Sequence, residues 1–245
     1  MPEQTPAAAR RTIPDEIAAG LRQAILAGEY RAGEALPPER TLASDLGTNR
    51  NTLREAVRRL EEGGLVRARQ GQGVRVLDWR RDGRLELLPA VLLEDGVAMG
   101  ERAEVLGDGL RLRTVFIGEA AALAATRRTD DDVATLRAIV DAGEAAGFAE
   151  LVSRDLDFYR ALVRAAHSQV GVWAFNTFAP AFERLLELEP ALWVTPARYQ
   201  ESLDEVVQAV EAGRAEVARD AVRTHLRKTD AAVVTALAAA AGERK

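Results

Sequence analysis

The chain has 245 residues, 47% of them hydrophobic and 29% charged, with a formal net charge of -5; that length suffices for one large domain or two ordinary ones, each with its own core. Aromatics at 5% beside abundant Ala, Leu and Arg favour helix over sheet, and the lack of cysteine excludes disulfides, thiolate nucleophiles and cysteine zinc sites. The opening MPEQTPAAARRTIPDE has no apolar core of signal-peptide length, and no later run is long and uncharged enough to span a bilayer, so the expectation is a cytoplasmic protein with no membrane partner.

The acidic total hides an asymmetry. Residues 1–79 carry 12 Arg and no Lys against 11 acids, and residues 40–75 alone hold eight Arg against four acids. Arginine's planar fork suits phosphate and guanine. Residues 1–11 read as a flexible arm. In TIPDEIAAGLRQAILAGEY, Thr12 is placed to cap a helix with Pro14, Asp15 and Glu16 in its first turn, and Ile17, Leu21, Ile25 and Leu26 fall at helical spacing. Pro37 and Pro38 lead into a second helix of barely two turns, ERTLASD, with Leu42 and Leu46 expected inward and Gly47 as its stop.

A third helix follows directly in TNRNTLREAVRRLEEGGL. On a wheel of about 100° per residue, Leu53, Ala56, Val57 and Leu60 share one arc and Arg50, Asn51, Arg54 and Arg58 the neighbouring one. Asn49 or Thr48 is a candidate N-cap, and Thr52 with Glu55 offers an alternative start one turn later. Either way the arginines lie near the end of the helix that favours anions. LVRARQGQGVRVLD then alternates apolar and basic residues around a glycine turn, predicting two short strands, Leu65 to Arg69 and Val74 to Leu77, with Arg67, Arg69 and Arg75 on one side. Helix, helix, arginine-rich helix and basic hairpin in that order predict a winged helix-turn-helix over residues 12–78. A winged helix used for protein contacts alone would need no outward arginine stripe.

The run GEALPPERTLASDLGTNRNTLREAVRRLEEGGLVRARQGQGVRV, Gly33 to Val76, resembles the N-terminal domain of GntR-family bacterial transcription regulators. Two departures stand out: Thr48-Asn49 replaces the usual Val-Ser or Val-Thr, and Gln70 sits at the wing tip. The resemblance implies that Arg40, Arg50 and Arg54 meet DNA, with Asn49, Asn51 and Thr52 beside them and Gln70 and Gly71 entering the minor groove. Arg58 and Arg59 either touch phosphate or pair with Glu55 and Glu61. The implied partner is double-stranded operator DNA, gripped by a homodimer on two half-sites.

Residues 79–100, punctuated by Gly83 and Pro89, read as a linker. From residue 101 to 241 helical periods follow one another, predicting an all-α bundle of six or seven helices, and no fixed repeat suggests a solenoid. The fold expectation is therefore mainly α: an N-terminal winged helix-turn-helix and a C-terminal all-helical domain. LRTVFIGEAAALAA, RDLDFYRALVRAAHS and AVEAGRAEVARDAVRTHL are similar to segments of the FadR-like subfamily, whose helical domain binds effectors and dimerises. That likeness places Arg113 near the effector cavity; Asp155 and Tyr159, one turn apart on a helix, are expected to line a polar effector pocket with His225 or to hydrogen-bond in the core. Many members hold a divalent metal through an Asp and three His; here Asp155 and His225 match, whereas Tyr159 and Leu203 or its neighbour stand at the other two positions. Two such ligands make a poor transition-metal site, so no metal or other cofactor is expected, and a divalent-metal-dependent carboxylate effector site is the alternative. The effector implied is a small acidic molecule, either an organic acid held by Arg113 or, from the aromatic at Tyr159, an acyl-CoA. No glycine phosphate loop or nucleophile elbow points to an enzyme.

Overall fold

The computed structural model describes residues 12–142, 147–188 and 198–243; the expected arm, residues 1–11, lies outside them. The chain divides into two compact units, residues 1–97 and 98–245.

In the first unit, α1 (Ile13–Leu26) opens on a Thr12 whose backbone N–H and hydroxyl both donate to the Asp15 carboxylate, at 2.9 and 2.6 Å. Leu21, Ile25 and Leu26 are buried on one stripe with Ala18. Helix α2 (Glu39–Asp45) buries Leu42 and Ala43. Leu46, expected inward, is 41% exposed. The helix stops at Asp45, and Leu46 has the non-helical backbone of a cap, φ -88° and ψ 4°, so a spacing of four from Leu42 no longer carries it to the core face. Helix α3 (Arg50–Glu62) buries Leu53, Ala56, Val57 and Leu60, the arc the wheel predicts. Full burial of each Leu contributes roughly 1.5–3 kcal/mol.

Strands β1 (Val66–Arg69) and β2 (Gly73–Val76) pair antiparallel, with Arg67 opposite Arg75. The hairpin does not stand alone. Leu36 N donates to Val74 O and Val76 N to Glu34 O, both at 2.8 Å, and Gly33 N donates to Val76 O at 2.9 Å, so residues 33–36 extend its base.

Residues 79–93, read as part of a linker, are folded onto this unit. A short α4 (Trp79–Asp82), a 3-10 turn (Leu85–Leu87) and α5 (Leu88–Leu93) bury Leu87, Leu88 and Leu92. Pro89 is no breaker there, because it occupies the first turn of α5, where its missing N–H has no helical partner to lose. Arg22 of α1 reaches Glu94 with Nε 3.1 Å from both carboxylate oxygens. Gly64 fixes the approach of α4: its φ is +76°, and an added Cβ would sit 2.1 Å from the Asp82 carbonyl oxygen.

The described residues of the second unit form six helices: α6 (Met99–Arg127), α7 (Asp130–Asp141), α8 (Phe148–Ala165), α9 (Gln169–Leu188), α10 (Tyr199–Glu211) and α11 (Ala215–Glu243). Helix α6 starts at Met99, within the stretch expected to be a linker and close to the expected start of the helical region at residue 101. It packs most extensively on α11, and Ala120, Ala121, Ala124 and Ala125, all buried, let neighbouring helices come close. Phe158, Leu162, Leu136, Val206, Val210, Val222 and Leu226 complete the core. Helix α9 continues through Pro180. Among the described residues no helix is long and apolar enough to cross a membrane.

Candidate functional site

Two places carry the chemistry, one in each unit. In the first, the Asn49 side chain caps α3 by accepting from Thr52 N at 2.9 Å, which fixes the start of the helix at Arg50 and sets aside the later start at Thr52. Arg50, Asn51 and Arg54 are exposed and Thr52 is half-buried. Arg54 forks onto Glu39 of α2: its Nε lies 3.0 and 3.3 Å from the two carboxylate oxygens and its Nη2 2.9 Å from one of them. Arg58 pairs with Glu62 at 2.7 Å and Glu55 at 3.4 Å, and Arg59 pairs with Asp15 of α1 rather than with Glu61. Among the described residues Arg40, Arg50, Arg67 and Arg69 form no ion pair with a side chain of the unit. Arg67, Arg69, Gln72 and Arg75 border a shallow hollow on one side of the wing. Gln70 and Gly71 form its tip, where Gly71 takes φ +75° with open space around it; the tight turn, not crowding, calls for glycine.

In the helical unit Arg113 of α6 is bound by Asp230 of α11, whose other oxygen lies 3.2 Å from Thr114 Oγ1, a hydroxyl whose one proton also faces Leu110 O at 3.0 Å. The guanidinium lies 5.6 Å from the Phe182 ring centroid, and its Nε is buried without a hydrogen-bond partner. Burial pulls the Arg113 guanidinium down, but Asp230, Tyr159 and Asp155 together more than offset that. Asp155, one turn before Tyr159 on α8, accepts hydrogen bonds from the hydroxyls of Tyr199 and Tyr159. Its burial nonetheless pushes the carboxyl up to about 6. His225 is fully buried, with Nδ1 2.6 Å from Ser202 Oγ. The Ser202 hydroxyl has one proton and places it on the Tyr199 carbonyl at 2.7 Å, so Oγ accepts from Nδ1–H and the buried, unpartnered Nε2 carries a lone pair. Burial, then Arg113 and Lys228, push this imidazole down to about 4, so it is neutral at pH 7. Beside the cluster an apolar cleft is lined by Leu106, Leu110, Phe182, Leu185, Leu186 and Val233, with Arg113 and Thr229 as its polar margin.

Comparison with known proteins identifies a domain in each unit. The model of the bacterial regulatory proteins of the gntR family matches residues 14–76, and that of the FCD domain residues 108–228. The chain is 33% identical over 219 residues, 86% of its length and 89% of the relative's, to the HTH-type transcriptional regulator Mce2R of Mycobacterium tuberculosis. The chain belongs to the GntR family. It is a DNA-binding transcription regulator with an FCD effector-binding domain, and not an enzyme. It is 28% identical to the putative L-lactate dehydrogenase operon regulatory protein of Escherichia coli, covering 88% of this chain and 84% of that one. Among solved structures, a Listeria monocytogenes protein described as "Lar controls the expression of the Listeria monocytogenes agr system and mediates virulence" shares the fold at TM-score 0.59 and 17% identity, over 91% of this chain and 97% of that one.

Within this GntR-family chain the FCD domain does not fit a divalent metal. One buried carboxylate and one imidazole remain; Tyr159 offers a phenol, Leu203 is a core residue, and Ser202 ties up Nδ1 of His225. Among the described residues no group of three or more His, Cys, Asp or Glu gathers. Such a donor set is too poor for a transition metal. Of the expected effector residues, the structure brings Arg113, Asp155, Tyr159 and His225 into one cluster. Sequence reasoning missed Tyr199, Ser202 and Asp230. The first two were detectable as polar residues on the apolar face of α10 beside Leu203, the position where a ligand was missing; Asp230, one turn past His225 and one residue on, had no such flag.

Proposed function

We propose that this regulator acts as a cytoplasmic homodimer, most simply a repressor, that grips two half-sites of an operator and is released by a small acidic effector bound in its FCD domain. The DNA reading rests on one observation above others. Among the described residues, Arg40 and Arg50 on the helix-turn-helix, and Arg67 and Arg69 on the wing, are exposed and make no side-chain ion pair, which leaves these four neighbouring cations available to an outside anion. Arg50 sits in the first turn of α3, whose Asn49 cap leaves backbone N–H groups aimed outward with it. Bidentate contact of Arg50 or Arg54 with guanine discriminates by roughly 1–3 kcal/mol. Asn49, Asn51 and Thr52 then meet phosphate or neighbouring base edges, and Gln70 and Gly71 approach the minor groove. The effector reading rests on Arg113 in the lining of the apolar cleft, with an organic acid or an acyl-CoA as the two classes that match a cation beside a greasy slot.

Arg50→Ala is expected to weaken binding to the operator by about 5- to 150-fold, whereas Arg58→Ala, which removes a side chain already paired within its helix, costs less than a few fold. Fluorescence anisotropy with operator and scrambled duplexes across a salt series checks this. Equal operator affinity and equal salt slope for Arg50→Ala and the wild type would remove α3 as the reading helix.

A further inference from the structure

The buried cluster of the FCD domain holds more acid than base before any ligand enters. Among the described residues Arg113 is the buried cation in it, with the exposed Lys228 acting on His225 from outside; Asp230 binds Arg113 directly, Asp155 stands in the same electrostatic environment, and His225 is neutral. The side chains of Arg113 and Asp230 are only 17% and 14% exposed. An acidic ligand docked on Arg113 would therefore bring a third negative group against a single positive one in a medium that screens poorly. We propose that Asp230 is a resident competitor for the anion seat on Arg113, and that a carboxylate ligand enters by exchange: it takes the guanidinium, while Asp230 withdraws and takes one proton from solvent.

The geometry supports exchange over simple addition. Asp230 holds Arg113 through one oxygen and lies against Thr114 Oγ1 with the other, while Arg113 also lines the cleft beside Thr229, so one guanidinium is shared between the resident carboxylate and the cleft. The Nε of Arg113 is left without an acceptor, so the resident carboxylate satisfies the fork incompletely and an incoming one with free geometry can do better. The charged and titratable groups around Asp230 are Arg113 from α6, Asp155 and Tyr159 from α8, Tyr199 from α10, and His225 and Lys228 from α11 itself; α9 contributes the apolar Phe182, Leu185 and Leu186 to the cleft wall. Burial already raises the Asp230 carboxyl above its ordinary value despite Arg113, and loss of Arg113 to a ligand raises it further, which is the source of the proton uptake. Because Asp230 also ties α11 to α6 through Arg113 and Thr114, the same exchange releases a latch between the two most extensively packed helices of the domain.

This proposal rests on the acidic-effector reading, and the test separates the two. The full-length protein, wild type and Asp230→Asn, is titrated with octanoate and with 1-octanesulfonate, which stays ionised throughout, between pH 5.5 and 8, following thermal shift and calorimetric proton uptake. Exchange predicts that the sulfonate binds the wild type more tightly as pH falls, with about one proton taken up per ligand. Asp230→Asn should bind both anions at least about tenfold more tightly than the wild type at pH 8, with little uptake. Should Asp230→Asn not fold, the pH trend and proton count of the wild type decide alone. Anion binding that is lost in Arg113→Gln but is independent of pH and unchanged in Asp230→Asn would overturn the exchange and leave the acidic effector standing. Binding of neither anion to any of these proteins, or binding indifferent to Arg113→Gln, would overturn both.

Discussion

Asp155 and His225 sit in one buried cluster and respond to acid in opposite senses. Asp155 is raised from 3.8 to about 6, so the folded state binds the extra proton first and acidification from pH 6 to 4 stabilises it. His225 is lowered from 6.5 to about 4, so the unfolded state binds the extra proton first and acidification over nearly the same window destabilises the fold. Each shift corresponds to about 3 kcal/mol, and the two contributions largely cancel. Asp155→Asn should therefore lose stability between pH 6.5 and 4.5, and His225→Gln should gain it relative to the wild type. Urea midpoints at the two pH values measure this directly; parallel profiles for the two variants would show that the groups do not titrate as their burial dictates.

At the scale of elements, the stretch after the wing matters most, because it makes the N-terminal unit larger than the helix-turn-helix itself. Leu87 packs on Gly63, an added Cβ at Gly96 would lie 2.7 Å from the Ala27 backbone nitrogen, and Arg22 pairs with Glu94. A fragment ending at residue 97 should melt at least about 10 °C above one ending at residue 78, since burial of even two leucines contributes several kcal/mol and each kcal/mol moves a small domain by about 4–8 °C. Equal melting points would return residues 79–97 to the status of a tether. The winged helix was legible because every local signal agreed: the caps at Thr12 and Asn49, the apolar arc of α3 and the alternating hairpin. The linker was misread because Gly83 and Pro89 carry the same letters in a tight turn and in a first helical turn as they do in a loop. Leu46 was misread because periodicity says nothing of where a helix stops. The FCD cluster was half legible: Asp155 and Tyr159 share a helix at a spacing of four, but the partners of Arg113 and His225 come from segments more than a hundred and more than twenty residues away in sequence, respectively, and contacts of that kind leave no periodic trace.

For the whole molecule the relevant measure is the ratio of operator binding to binding on every other sequence, since a regulator meets wrong DNA far more often than right. The pairing of Arg54 with Glu39 bears on that ratio. Under the proposed DNA reading, on duplex lacking the base that Arg54 would read the guanidinium keeps its internal partner and contributes little, whereas at the operator it would have to leave Glu39 for a better one. Glu39→Gln should then raise affinity for random duplex severalfold and steepen its salt dependence by about one ion, with a smaller gain at the operator. An unchanged ratio would mean that Arg54 reads nothing. If Arg54 reads the operator, the ion pair between α2 and α3 would work as a parking brake during genomic search: it would shorten the stay on each wrong site, at the cost of some grip on the right one.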